Sequence, residues 1–87
     1  MNITQITYVT RELKTLRDML RWSLTEFNKA NLCYGHGTDN AWDEAVYLNL
    51  TALHLAPDTE LTPLLDAALL ESERRAIVDL VQRRIVE

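Results

Sequence analysis

The sequence reads as an all-α protein, a compact bundle of about four helices around one long N-terminal helix. Apolar side chains recur with helical spacing through most of the chain. Only two glycines and two prolines occur in 87 residues, too few for the many turns of an all-β fold. Hydrophobic residues make up 47% of the chain. A domain this short needs that density, because it buries only about 60% of its unfolded surface.

The first helix rests on Ile6, Val9, Leu13, Leu16, Leu20, Leu24 and Phe27, which follow one another at steps of three and four. They form one stripe with no Gly or Pro, predicting a single helix from Gln5 to Ala30, about 39 Å long at the standard rise. Thr4 is its expected N-cap. Met19 and Trp22 widen the stripe, and Arg11, Lys14, Arg17, Asp18, Arg21 and Glu26 form a solvated face with a possible Lys14–Asp18 pair. Residues 31–39 read as a loop. Asn40 then caps a second helix, with Asp43 and Glu44 in its first turn. That helix continues through Ala45, Val46, Leu50 and Leu53 to His54, and Ala56-Pro57 stops it. Leu48 and Leu55 lie off its stripe, as on an innermost helix, and His54 is expected to favour the helix dipole or be partly buried. Thr62-Pro63 opens a short helix through Leu64, Leu65 and Ala68. A last helix begins near Glu71-Ser72, turning Ile77, Leu80, Val81 and Ile85 inward and Arg74, Arg75, Asp79, Arg83 and Arg84 outward. It meets the end of the sequence without a capping glycine or proline, so the natural protein is expected to continue.

A net charge of -4 argues against a general nucleic-acid binder, which carries a basic face. A neutral or positively charged protein partner suits it better. One cysteine, Cys33, leaves no internal disulfide, as in a reducing compartment. No apolar run reaches the roughly 18 residues of a membrane span, and the first residues lack a signal-peptide pattern. A cytoplasmic location without membrane contact is expected.

The chemically unusual stretch is the loop around Tyr34-Gly35-His36-Gly37-Thr38-Asp39-Asn40 and Trp42, which holds both glycines. His36 invites a metal reading, but Cys33, Asp39 and Asp43 lack a recognised ligand spacing. A Cys33–His36 catalytic pair needs a geometry that three residues of one loop rarely supply. No Lys follows Gly-His-Gly to make a phosphate loop. The structural reading is stronger. The glycines permit a tight reversal, Tyr34 and Trp42 bury their rings against the first helix, and His36 and Thr38 bond the loop backbone. Arg74, Arg75, Arg83 and Arg84 are offset by Glu71, Glu73 and Asp79, so a charged outer face accounts for them better than RNA contact does. The residues show no active-site constellation.

The runs Arg17-Asp18-Met19-Leu20-Arg21-Trp22-Ser23, Tyr34-Gly35-His36-Gly37-Thr38-Asp39-Asn40 and Trp42-Asp43-Glu44-Ala45 closely resemble the N-terminal domain of HemK-like protein glutamine methyltransferases. Within that family they resemble the members that modify a glutamine of large-subunit ribosomal protein number three. The resemblance covers essentially the whole chain and is least between residues 56 and 70. It implies a small helical domain, a hinge, and a larger α/β domain that binds S-adenosylmethionine and holds the glutamine amide with Asn-Pro-Pro-Tyr. This sequence has no such motif and no glycine-rich cofactor loop, so no catalytic, cofactor-binding or metal residue carries over. Residues 1–87 are expected to be the N-terminal substrate-recognition domain, with the catalytic domain absent and no cofactor in this fragment. The expected partners are the ribosomal protein and the enzyme's own catalytic domain. Candidates for substrate contact or loop structure are Tyr34, His36, Thr38, Asp39 and Trp42. The alternative is an intramolecular scaffold that orients the catalytic domain without touching substrate.

Overall fold

Two capping boxes decide how the chain begins. In the computed structural model, which describes residues 2–34 and 40–86, Asn2 accepts from the Gln5 amide and the Gln5 side chain accepts from the Asn2 amide. This opens α1 (Ile3–Glu12) two residues before the expected Thr4 cap. The same reciprocal device recurs at Thr15 and Asp18 and opens α2 (Leu16–Ala30). The expected single helix is therefore two. Leu13 and Thr15 are extended at the break, and the backbone groups freed there find partners. Arg17 N–H donates to Leu65 O at 2.9 Å, and Leu69 N–H donates to Lys14 O at 2.8 Å. A Thr15–Ala68 bridge lies between these bonds. The side-chain stripe survives, because Leu13 still packs on the core and Leu16 is buried within it. Asp18, expected to pair with the Lys14 ammonium, instead accepts from the Lys14 and Thr15 amides.

Asn40 caps α3 (Ala41–Ala52) as expected, accepting from the Asp43 amide at 2.9 Å. The helix ends before Pro57 for a different reason. His54 takes a left-handed backbone at φ 60, its N–H bonds Thr51 O, and Leu55 N–H reaches back to Leu50 O. These are the two bonds of a Schellman ending, with histidine where glycine is usual. His54 is exposed, so its expected partial burial is not found. Thr62-Pro63 begins only a three-residue 3-10 turn (Thr62–Leu64), with no side-chain cap.

The last helix, α4 (Glu71–Val86), packs against α1, α2 and α3. It holds the central position that the sequence assigned to the second helix; Trp42 and Tyr47 of α3 are about half exposed. Leu16, Met19, Leu20 and Phe27 of α2 meet Ala45 of α3 and Ile77, Val78 and Val81 of α4 in the core. The all-α expectation holds, with four α-helices among the described residues.

Candidate docking face around Trp42

Glu44 is buried at the start of α3, and its carboxylate lies 3.4 Å from Arg84 Nε of α4. The same guanidinium donates through Nη2 to Cys33 O at 2.8 Å. One arginine thus ties both flanks of the 34–40 stretch to α4. Arg74 is likewise spent inward, donating to the carbonyls of Thr10 and Leu69. These two arginines were expected to face solvent. A backbone carbonyl and a buried carboxylate are better satisfied by guanidinium than by apolar neighbours. Arg75 and Arg83 do face outward, paired with Glu71 and Asp79.

The stretch singled out in the sequence divides. Tyr34 is half-buried and packs against the core as expected. Trp42 is 45% exposed, which corrects the expectation of a buried ring. As the second residue of α3, it turns one side of its indole toward a groove and leaves the other to solvent. His36, Thr38 and Asp39 lie outside the described residues. Among the described residues no group of three His, Cys, Asp or Glu side chains is placed to hold a metal.

The groove beside Trp42 has a volume of about 390 Å³. Leu20 and Leu24 of α2 and Leu61 and Leu65 of the 3-10 region line it with the indole. Arg17, Arg21 and Thr62 supply its polar edge. Arg17 is held by Asp66 at 2.9 Å. That hydrogen bond and charge raise the arginine's affinity for its proton and hold the Asp66 carboxyl below its ordinary value. Arg21 donates to the Thr25 hydroxyl and forms no salt bridge among the described residues. A tryptophan and arginines around an apolar floor is the composition that dominates protein interfaces energetically. Periodicity flagged Leu20 and Leu24, and the unusual loop motif flagged Trp42; that Leu61 and Leu65 complete the groove depends on the break at Lys14, which spacing concealed.

With that geometry in hand, the chain can be set beside known proteins. Over 77 residues it is 56% identical to a protein of Bordetella pertussis named ribosomal protein uL3 glutamine methyltransferase. Proteins of the same name from Neisseria gonorrhoeae and Burkholderia pseudomallei are 53% and 50% identical. This chain is a homologue of part of these proteins. The alignments take in 88%, 88% and 85% of it but only 26%, 25% and 24% of the relatives, so it spans about a quarter of their length. The resemblance read from its motifs is borne out. No family model and no solved structure matches the chain.

Proposed function

We propose that this chain is the N-terminal substrate-recognition domain of a methyltransferase that modifies a glutamine of ribosomal protein uL3. Its homology to a quarter of proteins bearing that name is the observation that carries the reading. Methyl transfer belongs to the remaining three quarters, which would bind S-adenosylmethionine, the methyl donor. The part assigned to these residues is to bind uL3 and hold it so that the glutamine reaches the catalytic domain.

The face around Trp42 supports this division of labour. An isolated domain leaves an indole half-exposed at some cost in apolar hydration, and a partner that covers the ring recovers it. Arg84 ties the neighbouring chain to α4, so the face is largely formed before binding and little ordering entropy is lost there. The overall charge of -4 suits a ribosomal protein, which as an RNA binder carries excess positive charge.

Steady-state methylation of uL3 by the full-length enzyme tests the reading. Trp42→Ala is expected to raise KM for uL3 while leaving kcat at saturating uL3 within about twofold, as loss of uniform binding does. An unchanged KM with only a lower melting temperature would assign the domain to scaffolding of the catalytic half instead.

A further inference from the structure

The charge at the Trp42 groove runs against the charge of the chain. The protein carries thirteen acidic residues against nine Lys and Arg, yet among the described residues the ionisable side chains lining this groove are Arg17 and Arg21. Asp66 answers Arg17, while among the described residues the Arg21 guanidinium is answered by the Thr25 hydroxyl and no carboxylate. Among the described residues, the carboxylates of Asp18, Asp43 and Glu60 are committed or turned elsewhere. Asp18 caps α2 through the Lys14 and Thr15 amides, and Asp43 accepts from the Asn40 amide group. Glu60 is exposed and does not line the groove. The floor is apolar, formed by Leu20, Leu24, Leu61 and Leu65. One site therefore offers an apolar slot and, about one helical turn along α2 from Arg17, a guanidinium fork that meets no carboxylate among the described residues.

From this we infer that the groove takes a segment of uL3 presenting an apolar side chain with an Asp or Glu within about four residues of it. The apolar side chain fills the slot against Trp42, and the carboxylate meets Arg21. This rests on the recognition reading above and names the segment's chemistry within it. A uniformly basic segment, though matched to the net charge of the domain, would bring like charge to Arg17 and Arg21 and is disfavoured here. Arginine suits the role better than lysine because its planar fork can hold both carboxylate oxygens, whereas an ammonium acts as a point charge. Another groove, between α1 and α2 beside Tyr8 and Trp22, carries Glu26 and Lys29 paired with each other. It therefore offers no comparable charge preference.

The test is to titrate this chain with intact uL3 and with overlapping peptides that cover uL3. Arg21→Glu should weaken uL3 binding by tenfold or more, Arg21→Lys by less, and Trp42→Ala by about tenfold. Circular dichroism should show all three folded, since Arg21 is on the surface and Trp42 is half-exposed. Peptides that shift the Trp42 indole NMR resonance should contain the apolar-plus-acidic pattern. Arg21→Glu binding as tightly as the parent while Trp42→Ala loses affinity overturns the inference and leaves the recognition reading intact. So do indole-shifting peptides that are basic throughout. An indole resonance that moves with protein concentration alone assigns the groove to a second copy of this chain and also overturns it. Absence of any uL3 binding overturns the inference together with the reading beneath it.

Discussion

Asn49 shows how a polar residue earns a place in this core. It is fully buried between α2 and α3, where its amide donates to Ala45 O at 2.8 Å and to Ser23 Oγ at 3.1 Å. Ser23 in turn donates to Met19 O at 2.7 Å. The Asn49–Ser23 bond joins the two helices directly and so helps to fix their register. Its Oδ1 has no partner among the described residues, so part of the gain is offset by an unmet acceptor. Asn49→Ala is expected to cost roughly 2 kcal/mol in urea unfolding, from lost hydrogen bonds and a small cavity. Arg84→Ala should cost roughly 2 kcal/mol, since it strips Glu44 and Cys33 O of a charged donor; Arg84→Lys should recover part of that. Both sites were legible in principle. Ser23 falls on the Leu16–Leu20–Phe27 spacing, and Arg74 and Arg84 fall on that of Ile77 and Val81. The polar residue type hid them, because periodicity is read from apolar positions.

At the scale of elements, the capping chemistry decided what the hydrophobic stripe could not. A stripe continues across a helix break when the side chains on either side still face one core, as Leu13 and Leu16 do. The break was written in Thr15-x-x-Asp18, a capping box inside the predicted helix. Thr15→Ala is expected to lower stability by about 1 kcal/mol in thermal or urea unfolding. Two amide bonds to Asp18 hold its carboxyl below its ordinary value of 3.8. A depressed folded value means that the stabilisation is complete above the unfolded value and lost as pH falls through the folded one. Acid unfolding should therefore show a stabilising contribution that fades below about pH 4 and is weaker in Asp18→Asn. At the other end of α3, His54 adopts the left-handed conformation that costs a residue with a Cβ about 1 kcal/mol. His54→Gly should raise stability by about 0.5 kcal/mol, the relief being partly offset by the greater freedom of glycine in the unfolded chain. Nothing in the spacing of the second helix marked His54 as its stop, because Pro57 was the stronger local signal.

As a whole the molecule is a slab of 32 × 31 × 17 Å, about one and a half times as thick as a single helix with its side chains. Such a shape has two broad faces, and α4 serves as the element on which the other three helices pack. The all-α class was legible from composition and spacing, and the methyltransferase kinship from the Tyr34–Asn40 and Trp42–Ala45 motifs. The docking groove was not, because it joins α2 and α3 to the 61–65 segment, where the sequence carries its weakest pattern. Binding of uL3 through the Trp42 face is the central proposal for this domain, and a calorimetric titration of the 87-residue chain with purified uL3 tests it most directly. Saturable binding that Trp42→Ala weakens by about tenfold, a loss near 1.4 kcal/mol, is the predicted result. No heat of binding at any accessible concentration, or equal affinity in the folded variant, would contradict it.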